Sequence, residues 1–240
     1  ELCQNPAVMK FELSSFRLSA TDLSNHLSCL HLTQLNRKVA LGEAQKPIWH
    51  DPSLDVLIKR GQEHEAAYVS YLEKKGLKVL NLNGKPLEDV IEAMKQGVDV
   101  IVQAALKENE WIGNADILIK VKGKSKFGDW SYEVQDTKLA QNTRASAILQ
   151  LCLYTDLLST IQGVTPERLH VVKPGIDFPN ESFRYSEFQA YYRQIKKNFE
   201  HVMAGDEILT YPDPCGHCTI CNWWQVCDKK RHDDDHLSLV

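Results

Sequence analysis

The sequence lacks any long apolar run. No uninterrupted stretch approaches the roughly 18–20 residues needed to cross a bilayer, and the chain does not open with a basic segment followed by an apolar core, as a secretory signal would. Internal repeats and low-complexity tracts are also missing. Hydrophobic residues make up 43% and charged residues 25% of the 240 residues, as in an ordinary globular domain. We therefore expect a cytoplasmic protein with no membrane partner.

The sequence also lacks an excess of positive charge. Its 28 Lys and Arg residues against 32 Asp and Glu give a formal net charge of −4, which argues against binding to nucleic acid through overall charge. Two local basic tracks remain, one of alternating lysines at 120, 122, 124 and 126 and one at 229–231. Either track is equally compatible with a solvated surface.

The sequence also lacks an initiator methionine. The chain begins at Glu1 and stops on the apolar residues 237–240, so we interpret it as part of a longer polypeptide. We expect a single domain over 1–240, made of a helical part at 1–50, a core at 51–205 and a cysteine-rich tail at 206–240.

Hydrophobic periodicity predicts an α/β domain built round one sheet. A row of leucines predicts a first helix, and Cys29 lies within it. We expect helices at 19–38, 52–76, 86–96, 143–161 and 186–203. We expect strands at 77–82, 98–102, 111–121, 130–139 and 168–172, of which the third and fourth form an antiparallel hairpin.

The predicted hairpin brings three reactive side chains together. Asp116 lies in an otherwise apolar strand, and Asp136 and Lys138 lie on the returning strand. Residues two apart on a strand share a face, so Asp136 and Lys138 face one way and Glu133 the other. Two carboxylates at close range repel unless a cation lies between them, and Mg²⁺ or Mn²⁺ prefers oxygen ligands. Such an ion would polarise a phosphodiester, while Lys138 could stabilise the developing charge.

Three further residues are candidates for the same site. Gln150 and Tyr154 are four residues apart and share one face of a predicted helix, from which they could contact a phosphate or stack on a base. His64 lies upstream. Each has a plainer interpretation, as a packing histidine or as polar residues of a partly buried helix. The Asp-x-Lys segment could itself be the solvent side of an edge strand, since such short motifs are weak alone.

The order and spacing of these candidates resemble the RecB-like branch of the PD-(D/E)xK nuclease superfamily. The matching elements are His64, Gly113-x-x-Asp116, Asp136-x-Lys138 and Gln150-x-x-x-Tyr154. The resemblance covers nearly the whole chain, although Ala115 replaces the proline that gives the superfamily its name. It implies a restriction-endonuclease-like core in which a mixed central sheet is flanked by helices.

The resemblance also implies a role for each residue. Asp116, Asp136 and Lys138 would be catalytic. The metal ligands would be His64, Asp116, Asp136 and the carbonyl of Thr137. Gln150 and Tyr154 would bind DNA.

Seven cysteines are the most unusual part of the composition. An odd number does not suit a secreted disulfide framework, and metal binding in a reducing compartment fits better. Four of them are crowded into one segment, as Cys215-x2-Cys218-x2-Cys221-x5-Cys227. Four thiolates suit zinc or an iron–sulfur cluster equally, and His217 could serve as a zinc ligand.

Iron–sulfur nucleases of the RecB-like group, such as CRISPR-associated four-cysteine nucleases, use one cysteine before the core and three after it. The resemblance therefore implies a [4Fe–4S] cluster on Cys29, Cys218, Cys221 and Cys227. Cys215 is then an extra thiol. It is also an alternative ligand, because Cys215 and the three tail cysteines could form a local site.

We expect from this resemblance a Mg²⁺- or Mn²⁺-dependent deoxyribonuclease acting on single strands or DNA ends, in DNA repair or defence. It is similar to bacterial predicted RecB-family nucleases, which are often joined to a helicase or to a second nuclease-like domain. One alternative is a non-catalytic DNA-binding or scaffold module with a structural iron–sulfur or zinc site. Another is a zinc-ribbon protein whose acidic residues are surface decoration.

Overall fold

The computed structural model describes residues 9–48, 52–205 and 207–240. The chain divides into two units. The first is formed by Glu1–His50 together with Gln194–Val240, and the second by Asp51–Arg193. Within the described residues, no helix is both long enough and apolar enough to cross a membrane.

Helices and strands alternate along much of the chain. The helices are α1 (Ala20–Ser28), α2 (Leu30–Ala40), α3 (Pro52–Lys74), α4 (Leu87–Lys95), α5 (Ala145–Gln162), α6 (Tyr185–Ala204) and α7 (Trp224–Asp233). The strands are β1 (Lys10–Glu12), β2 (Ser15–Arg17), β3 (Val79–Asn81), β4 (Val100–Glu108), β5 (Trp111–Ser125), β6 (Gly128–Thr137), β7 (Arg168–Val172) and β8 (Asn180–Arg184). Two short 3-10 helices lie at Gly216–Ile220 and Leu237–Leu239.

The second unit is built on a six-stranded sheet in the order β3-β4-β5-β6-β7-β8. The β3–β4 and β6–β7 pairs are parallel, and the other three pairs are antiparallel. The sheet is therefore mixed, and the fold is mixed α/β with helices flanking the sheet. The hairpin of β5 and β6 lies at its centre.

Helices α3 and α5 hold the sheet between them. Tyr68 and Leu72 of α3 pack on Ile117 and Val172, which lie on one face of the sheet. Helix α5 packs against β4 to β7, and it is apolar on nearly all sides, as expected of a helix enclosed by protein. Its C-terminus is closed by Gly163, whose φ of +72° is the left-handed conformation that glycine adopts without strain.

In the first unit, α1 and α2 pack together, and α2 contacts the end of the chain. His31 on α2 shares a hydrogen bond of 2.7 Å with the hydroxyl of Thr210. Arg37 donates to the carbonyl of Gly205 at 2.8 Å. These bonds join residues far apart in sequence, so the helical start and the cysteine-rich tail belong to one folded body.

The single helix predicted over 19–38 is wrong. The structure has two helices, because Cys29 adopts an extended backbone (φ −160°, ψ 110°) that ends α1 and begins α2. Its Sγ accepts the backbone N–H of Leu32 at 3.4 Å, so it caps α2. Cys29 therefore lies at the junction of two helices and not inside the single helix that the leucine periodicity predicts.

Other elements differ in extent or were not predicted. Strand β4 continues to Glu108, well past the predicted end at residue 102. Strand β8 was missed because its residues, Asn180–Arg184, are mostly polar, as suits an edge strand with a solvated face. Helix α7 was missed because its sequence is mostly charged and lacks an apolar stripe.

Candidate functional site

Asp116 and Asp136 lie opposite each other on β5 and β6. Ile117 pairs with Gln135 and Leu118 with Val134, and this register sets the two aspartates side by side. Ile117 packs under α3, so Asp116 points to the other face of the sheet. The Oδ2 atom of Asp116 accepts the backbone N–H of Thr137 at 3.2 Å. Two carboxylates are thus held on adjacent strands by the sheet itself.

Lys138 completes this group, which we call the acidic site. Its Nζ lies 3.0 Å from Oδ1 and 2.8 Å from Oδ2 of Asp136. The Asp136 side chain is 1% exposed and that of Lys138 is 36% exposed, so the lysine reaches from solvent to a buried carboxylate. Its hydrogen bond goes to Oδ1, and the buried Asp136 carboxyl also has the Asp116 carboxyl beside it.

The electrostatics of the acidic site show an excess of negative charge. Burial raises the pKa of Asp136 well above its usual value, and the charge of Asp116 raises it further. Burial lowers the pKa of Lys138, but the charges of Asp136 and Asp116 outweigh that effect and leave it above the ordinary value. The lysine alone therefore does not balance the two carboxylates.

His64 lies one strand away from the two carboxylates. Its Nε2 is 3.4 Å from the carbonyl oxygen of Val172, and its ring stacks on Phe178 at 5.6 Å between centroids. Val172 is the register partner of Thr137. His64 is thus at the same end of the sheet as Thr137, but these contacts turn its ring towards β7.

Gln150 and Tyr154 lie on α5 beside the acidic site. The Gln150 amide donates to the Tyr154 hydroxyl at 3.4 Å. Burial raises the pKa of Tyr154, and the charges of Asp116 and Asp136 raise it further, so its hydroxyl stays protonated and able to donate. A Cβ atom at Gly113 would lie 2.5 Å from Cε1 of Tyr154. Gly113 is therefore needed for the tyrosine ring to lie against β5.

Glu65 is a further acidic residue near the site; the sequence motif around His64 includes it but predicts no role for it. Burial raises the pKa of its carboxyl, and the nearby charge of Asp116 adds to the increase. Its Oε1 accepts the side-chain amide of Gln103 at 2.5 Å, and Gln103 in turn accepts the side-chain amide of Asn114. Gln103 has a left-handed φ of +54°, which is strained for a residue with a side chain. It lies opposite Asp116, between the paired positions of β4 and β5.

The residues of the acidic site fit a hard divalent cation. Carboxylate oxygens are the donors that Mg²⁺ and Mn²⁺ prefer, and the buried Asp136 carboxyl has a second carboxyl, that of Asp116, beside it. Across the described part of the chain, however, no three His, Cys, Asp or Glu side chains converge as a ready ligand group. Asp116 and Asp136 are the pair that the structure brings together, and His64 is not brought to them.

Five cysteines line one pocket in the first unit, which we call the cysteine pocket. They are Cys29, Cys215, Cys218, Cys221 and Cys227. The pocket encloses about 330 Å³ including its open mouth. Sγ of Cys215 lies 3.8 Å from Sγ of Cys218. Trp223 and Trp224 also line the pocket, and Trp223 is buried.

The thiols of this pocket influence one another. Burial raises the pKa of Cys227 to about 11, and the neighbouring Cys221 and Cys29 contribute. Burial likewise raises the pKa of Cys221, and Cys218 and Cys215 add to it. Several half-buried thiols that repel as thiolates are a donor set that a metal centre would neutralise. The types of residue present therefore suit zinc or an iron–sulfur cluster, and His217 also lines the pocket. Within the described residues, however, no three of these side chains already converge as a ligand group.

The basic cluster at 229–231 and the first lysine of the other track are paired with acids. Lys229 lies 2.7 Å from Asp233, and Lys230 lies 2.6 Å from Asp234, in exposed i,i+4 pairs. Lys120 is paired with Asp99 and donates to the carbonyl of Gly97 at 2.7 Å. These contacts are those of solvated helix and strand surfaces.

Comparison with solved structures gives a distant likeness. The structure is similar to the crystal structure of SSO0001 with a TM-score of 0.40 and 12% sequence identity, covering 88% of this chain and 85% of that one. A likeness this distant assigns neither a family nor a function. No protein-family model matches the chain, and no curated protein matches it.

Proposed function

We propose that this chain is a Mg²⁺- or Mn²⁺-dependent deoxyribonuclease with a RecB-like PD-(D/E)xK core. The observation that carries the proposal is the acidic site. Asp116 and Asp136 face each other across adjacent strands, with the Lys138 ammonium in contact with a buried carboxylate. This is the arrangement of charges needed to hold a cation and an anionic substrate together. Two negative groups bind the cation, and one positive group remains to face a phosphate.

Each residue has a part in the proposed hydrolysis. Asp116 and Asp136 bind the cation, which when bound would polarise the phosphodiester and lower the pKa of a coordinated water. Lys138 stabilises negative charge that develops on the phosphate oxygens and keeps its proton because of its acidic neighbours. The burial of Asp136 excludes water from one side of the site and so strengthens these interactions.

Tyr154 and Gln150 are proposed to hold the DNA strand. The Tyr154 ring lies against Gly113 of β5 and within reach of both aspartate charges. Gln150 donates to its hydroxyl, so the phenol proton is free to point towards a phosphate oxygen. By the resemblance to RecB-like nucleases, we propose single strands or DNA ends as substrate, in repair or defence.

We also propose that the cysteine pocket holds a [4Fe–4S] cluster that ties the chain's start to its tail. A cluster needs four thiolates, and the pocket supplies five from two distant segments. Zinc is the competing occupant. If protein purified without oxygen is brown and absorbs at about 400 nm, it holds a cluster. A colourless protein with bound zinc would overturn the cluster proposal.

The nuclease proposal is tested with end-labelled DNA and anaerobically purified protein. We expect cleavage of single-stranded DNA with Mn²⁺ or Mg²⁺ and none with EDTA, and slower cleavage of blunt duplex. An RNA strand of the same sequence tests the assignment to DNA. Folded protein that binds DNA but does not cut it with either metal would contradict the proposal and favour a non-catalytic binding module.

A further inference from the structure

The cysteine pocket contains one more thiol than a metal centre uses. A tetrahedral zinc or a cubane cluster takes four protein thiolates, whereas Cys29 and four tail cysteines line the same pocket. The extra thiol is therefore close enough to compete for coordination. This inference rests on the proposed metal centre of that pocket.

Cys29 and Cys215 have the same local structure. Each is an extended residue that directly precedes a helix, with φ −160° for Cys29 and φ −143° for Cys215. The Cys29 thiol accepts the backbone N–H of Leu32, whereas the Cys215 carbonyl accepts the backbone N–H of Cys218. Both thiols are therefore carried by an extended residue at the start of a helix.

Cys218, Cys221 and Cys227 differ from this pair. They belong to the 3-10 helix, to the residue that ends it, and to α7. Consecutive hydrogen bonds link this segment, from Cys221 N–H to the Cys218 carbonyl and from Cys227 N–H to the Trp223 carbonyl. Cys215 precedes this segment and is hydrogen-bonded to its first residue, Cys218, while Cys29 comes from a segment more than 180 residues away in sequence.

We propose that Cys29 and Cys215 are interchangeable fourth ligands, while Cys218, Cys221 and Cys227 are constant. With Cys29 bound, the metal centre ties the junction of α1 and α2 to the tail. With Cys215 bound, it is held by the tail alone and the junction is released. The pocket can therefore keep its metal centre while changing what that centre crosslinks.

The test is a series of serine variants of the full chain purified without oxygen. Iron and acid-labile sulfide per chain are measured together with the visible spectrum. We expect C29S and C215S each to keep about four iron atoms per chain. The C29S/C215S double variant should contain about tenfold less iron, or lower still. C218S should lose its iron as a single change. C152S is the matched control, because Cys152 is buried in α5 and outside the pocket.

The interchange would be overturned if either single variant, C29S or C215S, contained as little iron as the double variant. A C29S protein that is unfolded by circular dichroism counts against it equally, since the interchange predicts a loaded pocket. If the wild-type chain holds zinc, the same series scored by zinc decides the interchange while the cluster itself is refuted. A wild-type chain with neither metal overturns both proposals.

Discussion

Gly113 shows how a single missing side chain shapes the candidate site. In the sequence this glycine is only one position of a motif, whereas the structure gives the reason for it. A Cβ there would lie 2.5 Å and 2.8 Å from two ring carbons of Tyr154, closer than packed atoms approach. The need for glycine follows from a contact between β5 and α5, which are distant in sequence, so local propensity could not reveal it.

Gly113→Ala should therefore displace the Tyr154 ring from the acidic site. We expect a destabilisation of about 1–3 kcal/mol from overpacking and a clear loss of DNA cleavage. Gly61→Ala is the matched control, because nothing lies within 4 Å of its added Cβ and alanine in a helix is stabilising by up to about 1 kcal/mol. Chemical denaturation and the cleavage rate of both variants would be measured. Equal behaviour of the two would refute the packing argument.

Glu65 could not be identified from its neighbours in sequence, since it lies on a polar stretch of α3 close to another acidic residue. Its significance comes from Gln103, which binds it from β4. We expect Glu65→Gln to weaken Mn²⁺ binding about tenfold, because it removes one negative charge near Asp116. Calorimetric titration with Mn²⁺ alone measures this.

Glu63→Gln is the control for the loss of the Glu65 charge. It lies on the same helix, is exposed, and faces Lys59 at 4.0 Å. Its removal should leave Mn²⁺ affinity unchanged. If both variants bind Mn²⁺ as tightly as wild type, Glu65 is only a structural partner of Gln103.

At the scale of whole elements, helix capping explains the break between α1 and α2, which hydrophobic periodicity could not predict. The row of leucines predicts one helix over 19–38, but Cys29 interrupts it because its thiol caps α2. The start of α1 is closed by a capping box, in which Ser19 and Asp22 exchange hydrogen bonds. Asp22 also accepts the N–H of Met9 at 3.2 Å. Burial raises its pKa from 3.8 to about 6 despite these donors.

This shift predicts a pH dependence of stability. Because the folded state holds the Asp22 proton more tightly than the unfolded chain, the contribution is complete below about pH 4 and is lost as pH rises through about 6. Asp22→Asn cannot titrate. The stability of wild type relative to this variant should therefore fall by up to about 3 kcal/mol between pH 4 and pH 7. Thermal unfolding at several pH values measures it. A relative stability that rises over this range would show that the three donors outweigh burial.

The hairpin is the element that sequence reasoning predicted best. Alternating apolar residues with a Gly- and Lys-rich turn define β5 and β6. An irregularity between Lys122 and Ser125 shifts their register, so the pairing of Asp116 with Asp136 does not follow from the turn alone. His64 was harder to place, because the ring direction depends on Val172 and Phe178, which come more than 100 residues later.

At the scale of the whole molecule, the acidic site and the cysteine pocket belong to different units of the chain. The sequence predicts a helical start, a core and a tail within one domain. Contacts such as His31 to Thr210 group the start with the tail. Such long-range pairing is invisible to periodicity, and only the shared chemistry of the cysteines indicated it in advance.

The proposed function depends most on Asp136 as part of a metal-dependent catalytic site, and its most direct test is the rate of Mn²⁺-dependent cleavage of single-stranded DNA by Asp136→Asn. Asp129→Asn is the control, because Asp129 is an exposed residue on the same strand. We expect the first variant to lose about 100-fold or more of the rate with an unchanged visible spectrum, and the second to keep the wild-type rate. Cleavage by Asp136→Asn at the wild-type rate would contradict the proposal.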